Sequence, residues 1–138
     1  MKVKLFSMFL LLMAVSCSPG GQDENVIFED NPDCIYVIMF HLAQRCESCK
    51  AVETETRAIL EKGYKDEMDA GEMRFLLFDI LSDSGKKAAR QLMASGQTLY
   101  IVKGDSISDL TGSAFLFAQT HPERYHKALK QELDKDLR

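Results

Sequence analysis

The chain contains no long run of Lys or Arg, which excludes nucleic acid as its main partner, because neutralising phosphates requires a basic face. It has no Trp and three Pro, 46% hydrophobic and 28% charged residues, and a formal charge of −4. Those fractions are near the globular average and exclude a disordered, collagen-like or multi-span membrane protein. No internal repeat occurs. A length of 138 residues leaves room for one core and no second domain.

The one long apolar run, Leu5 to Val15, is too short to cross a bilayer as a permanent helix. It follows the basic pair Lys2 and Lys4 and leads through Ala14-Val15-Ser16 into Cys17, the pattern of a secretory leader over residues 1–16. Small residues directly before a Cys resemble a bacterial lipoprotein box. That resemblance implies a lipidated Cys17, attachment to a membrane of the bacterial cell envelope, and a mature chain facing the periplasm or the cell exterior. Residues 17–31 begin Cys17-Ser18-Pro19-Gly20-Gly21, a composition that buries no core and reads as a flexible tether. Removing Lys2 and Lys4 with the leader leaves 15 basic against 21 acidic residues, a charge of −6 and still no basic patch.

Residues 32–138 carry the folded domain. The run Ile35 to Leu42 is mostly apolar, β-branched and aromatic, as expected of a central strand covered on both faces. From Cys46 to Gly63 the period changes: Cys49, Val52, Thr56, Ile59 and Leu60 form one stripe of a helix that Gly63 is placed to end. A polar loop from Lys65 to Glu72 precedes a second strand, Arg74 to Ile80. Ser82-Asp83-Ser84 offers N-caps for a short helix carrying Ala88, Ala89, Leu92 and Met93.

Thr98 to Val102 and Ser106 to Leu110 flank a Lys103-Gly104-Asp105 turn and read as a hairpin. Ala114 to Ala118 reads as core, any exposed part of it being a docking surface for a partner. Thr120 and Glu123 have the spacing of a capping box for a last helix with its stripe at Tyr125, Leu129, Leu133 and Leu137. The order strand-helix-strand-helix-strand-strand-helix predicts a mixed α/β sheet of four to five strands with helices on both faces.

The chemistry lies in Cys46-Glu47-Ser48-Cys49, at the junction of the first strand and helix. There free backbone amides and the helix dipole favour a thiolate at Cys46. Cys49, one turn on and first in the apolar stripe, is expected to be the more buried sulfur. An exposed attacker beside a sheltered resolver suits thiol-disulfide exchange. Arg45 and Lys50 would favour the Cys46 thiolate and Glu47 would oppose it.

Cys34, about 26 Å from the junction along an extended strand, is too far for a disulfide with either and reads as core. Alternation sets His41 on the opposite face from Phe40, the side expected to be covered by the Cys49 helix, and so makes it a packed or partly exposed residue. His121 and His126 read as surface positions of the last helix. No methionine-rich motif suggests a metal, and only two convincing sulfur ligands are present where a closed zinc site wants four donors.

Ile35 to Lys50, Phe75 to Ile80, Thr98 to Gly104 and the last helix together resemble a thioredoxin-like domain. In finer detail, Phe40-His41-Leu42, Arg45 to Glu53 and Val102-Lys103-Gly104 resemble the family of the ArsF subunit of a nitrophenyl-compound nitroreductase. The first resemblance implies a thioredoxin-like fold and a thiol-disulfide oxidoreductase or electron relay acting on a protein thiol or disulfide, with Cys46 as nucleophile and Cys49 as resolver. Nothing resembles a flavin or nicotinamide site, so no cofactor is expected and nitroreduction would fall to a partner. Against the thioredoxin pattern, Gln97 replaces the proline facing the disulfide, Phe40 replaces a buried acid, and neither Pro nor Gly separates the cysteines. A metal-binding or non-catalytic docking module of a membrane-associated complex is the competing reading.

Overall fold

The computed structural model describes residues 31–138; the leader, Cys17 and all of the tether but Asn31 lie outside the described residues. Strand β1 (Ile35–His41) is the axis of the molecule. It pairs in parallel with β2 (Met73–Asp79) and antiparallel with β3 (Thr98–Lys103), and β3 pairs antiparallel with β4 (Ser106–Asp109). The resulting four-stranded order is β2-β1-β3-β4. Because β1 has strands on both sides and helices on both faces, its first six residues are buried, which is why the sequence there shows no polar alternation.

Helix α1 (Glu47–Gly63) buries Cys49, Val52, Thr56, Ile59 and Leu60, the stripe expected from the sequence. Helices α2 (Lys65–Asp69) and α3 (Asp83–Leu92) follow, then α4 (Thr111–Phe117) and α5 (Pro122–Asp136). One core joins Ile35, Val37 and Met39 to α1, α4 and α5. The other joins Tyr36, Ile38 and Phe40 to Ala88, Ala89 and Leu92 of α3. A parallel β1-α1-β2 unit, an antiparallel β3-β4 hairpin and helices on both faces make this a thioredoxin-like α/β fold.

Several local expectations are corrected. The segment expected as a polar loop forms the one-turn helix α2, which carries an exposed Lys65–Asp69 ion pair at 2.7 Å and buries nothing. Ala114 to Ala118 is helical rather than uniformly core: Ala114 and Ala118, four apart, are buried, while Leu116 on the other side is 67% exposed. Met93 is no part of the α3 stripe. It is the left-handed C-cap, at φ 54°, and is 84% exposed.

The capping box at Thr120 does not form, because α5 starts one residue later, with His121 at the N-cap and Pro122 in its first turn, where a missing N–H costs nothing. Thr120 Oγ1 instead donates to Leu116 O at 3.0 Å. Leu137 lies past the end of α5 and is exposed. Ser82 does cap α3, accepting from Gly85 N at 3.0 Å.

Candidate functional site

Strand β1 ends at His41, and the loop through Arg45 carries the chain over the sheet end to α1. Cys46 is the N-cap of α1, in extended backbone, with its carbonyl accepting from Lys50 N at 3.1 Å. Its thiol is exposed, whereas Cys49 is fully buried in the core with Met39 and Leu99. The two sulfurs are 3.3 Å apart in the dithiol state, so a bond of ~2.05 Å needs only a small rotation.

Their environments drive the two thiols apart. The Cys49 backbone amide and the Cys49 thiol, with a lesser contribution from the Ser48 amide, hold the Cys46 thiol below its ordinary value against the opposing effect of burial. Burial pushes the Cys49 thiol up, and its hydrogen bond and charge interaction with Cys46 push it further. One sulfur is therefore primed to attack while the other keeps its proton.

Arg45 and Glu47, expected to tune Cys46, are engaged elsewhere. Arg45 Nη1 is paired with Glu53 Oε2, and Arg57 Nη2 holds Glu53 Oε1 at 3.0 Å. Burial would raise the Glu53 carboxyl, but the hydrogen bonds from Arg57 and Arg45 outweigh it and hold it below the usual carboxylate range. Glu47 accepts from Lys50 Nζ at 2.8 Å in an exposed pair, a contact worth little in water. The groups acting on Cys46 are thus chiefly backbone amides of the helix start rather than flanking charges.

Phe40 belongs to the other layer. It stacks on Phe78 at 5.7 Å and meets Tyr100 edge-on at 6.4 Å. Helix α1 covers the Met39 side of β1, so the expectation that it covers the Phe40 side is reversed. Met39 and Leu99 are among the apolar sheet residues that share the Cys49 core, with Ile35, Val37, Met73 and Ile101. His41, on the α1 side by alternation, is partly buried with Nδ1 3.0 Å from Leu42 O. Gln97 directly precedes Thr98, the register partner of Phe40, and so lies at the same sheet end as the cysteines.

Cys34 is buried just before β1, at the opposite end. His126 is less free than a surface residue: its Nε2 lies 2.5 Å from Glu55 Oε2, across the α1–α5 seam. Sequence reasoning missed the role of Glu53, because its partner Arg45 lies before the N-cap, eight positions away and outside the helical period. It also missed Gln119, whose Oε1 accepts from Ser48 Oγ, between the cysteines, at 3.4 Å. No group of three or more His, Cys, Asp or Glu side chains gathers as a metal-ligand set among the described residues.

No family model matches the chain, and no curated protein matches it. Among solved structures it is similar to a Fasciola hepatica thioredoxin, at 21% identity over 58% of this chain and 68% of that one, with a TM-score of 0.41. It is also similar to a structure described as a malarial protein, at 16% identity over 60% of this chain and 93% of that one, with the same TM-score of 0.41.

Proposed function

We propose that the protein is a thiol-disulfide oxidoreductase or electron relay of the bacterial cell envelope, exported by residues 1–16 and anchored through a lipidated Cys17. The observation that carries the redox reading is the pairing, at 3.3 Å, of an exposed, acidified Cys46 with a buried Cys49. The Cys46 thiolate attacks a partner disulfide, forming a mixed disulfide and expelling one partner thiolate. Cys49 then loses its proton to solvent and attacks Cys46 Sγ, forming the internal disulfide and releasing the second partner sulfur. The partner gains two electrons and the Cys46–Cys49 pair loses them.

The test is trapping. Cys49→Ser should accumulate a mixed disulfide through Cys46, and Cys46→Ser should abolish exchange. Failure of Cys49→Ser to trap any partner, combined with tight metal retention through both sulfurs, would instead favour the metal-binding module. The anchor is supported by the position of Cys17 between an apolar run and a polar tether. Several acyl chains on one Cys would hold the protein stably in a membrane. In a bacterial host, Cys17→Ala should move the protein from the detergent phase to the aqueous phase, and equal partitioning of both forms removes the anchor.

A further inference from the structure

The resolving step has an unmet need: Cys49 must become a thiolate inside an apolar core. Met39 and Leu99, which share that core, cannot accept or stabilise a charge. A polar construction lies at the start of α1. Glu53 follows Cys49 by four residues, so the two side chains are neighbours on one helix face, with Cβ atoms about 5–6 Å apart. Arg45, directly before the N-cap, reaches past the first turn of α1 to pair with that same Glu53. A guanidinium spanning from position 45 to position 53 must lie alongside the turn that carries Cys49. Both side chains are largely withdrawn from water, at 26% and 18% exposure, where a fixed charge acts more strongly than in bulk solvent.

We propose that Arg45, held in place by Glu53, is a group that stabilises the Cys49 thiolate during resolution by its charge. Glu53 is a positioning residue, acting through Arg45, and Arg57 on its other oxygen completes its anchoring. Burial and Cys46 leave the Cys49 thiol raised overall; a backbone hydrogen bond at Cys46 and then, as a smaller effect, the Arg45 charge act in the lowering direction, in agreement with this geometry. The inference rests on the oxidoreductase reading of the cysteine pair.

Ellman's reagent separates the two steps in one stopped-flow trace. Cys46 attacks the reagent disulfide and releases one thionitrobenzoate. Cys49, losing its proton to solvent, then attacks Cys46 Sγ and releases the second, so the pair is oxidised and the reagent reduced. The full chain is used with Cys17→Ser; Cys34, at 1% exposure, is shielded until unfolding.

Arg45→Gln should slow the second release about threefold to tenfold at pH 7 and move its pH midpoint upward, since a midpoint higher by about one pH unit leaves roughly a tenth of the thiolate. The first release should stay within about twofold of wild type, and Arg45→Lys, which keeps the charge, should restore most of the second. Removing the Glu53 charge would by itself speed release, so a slower second phase in Glu53→Gln identifies anchoring and a faster one overturns it. An unchanged second phase in Arg45→Gln, or an equal change in the first, overturns the role of Arg45. Complete absence of a second phase in wild type would sink the oxidoreductase reading itself.

Discussion

The Tyr125 hydroxyl lies 2.5 Å from the Thr56 hydroxyl, tying the last helix to the helix that begins with the cysteine pair. Thr56 Oγ1 already donates to Val52 O at 2.6 Å, so Tyr125 supplies the proton of the shared bond. Tyr64, at the end of α1, donates to Asp134 Oδ1 at 2.7 Å and ties the same two helices at the other end of α1. The base on which Cys49 sits is therefore fixed by polar links as well as by the apolar stripe.

Burial holds the Tyr125 hydroxyl far above the ordinary tyrosine range. Its contribution to stability is then complete below the unfolded value of ~10 and is lost as pH rises beyond it. Tyr125→Phe should cost about 1 kcal/mol at neutral pH, for one buried hydrogen bond. It should also flatten the alkaline decline of urea midpoints measured from pH 8 to 11. A wild-type protein with no alkaline decline in that range contradicts this assignment.

At the acid end the sign is opposite. Glu53 is held below the usual carboxylate range once the hydrogen bonds from its two arginines have overcome burial, so its contribution is present above the unfolded value of ~4.3 and is lost as pH falls through the lower folded value. Glu53→Gln should lower the neutral-pH midpoint and narrow its gap to wild type below pH 4. Chemical denaturation at pH 7 and pH 3 compares the two directly, and a gap that widens in acid refutes it.

Gly85 is the tightest glycine contact in the fold. A Cβ placed there would sit 1.8 Å from Asp79 O and 2.7 Å from the carbonyl carbon, both backbone atoms at the end of β2. Gly85→Ala is expected to destabilise by about 3 kcal/mol, the upper part of the usual overpacking range. By contrast, Gly63→Ala meets nothing within 4 Å and serves as the control in the same thermal melts.

The three described cysteines should separate by alkylation. Cys46 should react with iodoacetamide with a midpoint below that of an ordinary thiol, because helix-start amides lower it. Cys49 should require higher pH, its thiol being raised first by burial and then by Cys46. Cys34 should react only after unfolding. Mass spectrometry of peptides after pulses at several pH values reads all three, and a Cys34 that labels in the native state contradicts its burial.

Much of this was legible along the chain. Five residues of the α1 stripe could be named because a helical period requires only neighbours three and four positions away. Ser82 was legible as a cap, because a hydroxyl three residues before Gly85 can satisfy a free N–H without help from the rest of the fold. Alternation along β1 divided His41 from Phe40, yet the Cys49 helix, expected over the Phe40 side, packs on the other. That pairing depends on how the chain turns between Leu42 and Cys46, which no periodicity records. The Thr120 box failed for a related reason: Pro122 already suits a first-turn position, so the helix begins there and the Thr120 hydroxyl turns back to Leu116.

By itself the sequence determined the alternation of strands and helices, the cysteine pair at a helix start and the burial of Cys49. Each of these follows from chemistry confined to a few consecutive residues. Tertiary structure alone decided that Arg45 faces Glu53 rather than Cys46, that Phe40 packs with α3, and that Ser48 meets Gln119 and Glu55 meets His126. Those last two contacts each join residues 71 positions apart. Partners so distant meet only after the sheet has set the spacing of the helices, and local propensity carries no information about that spacing.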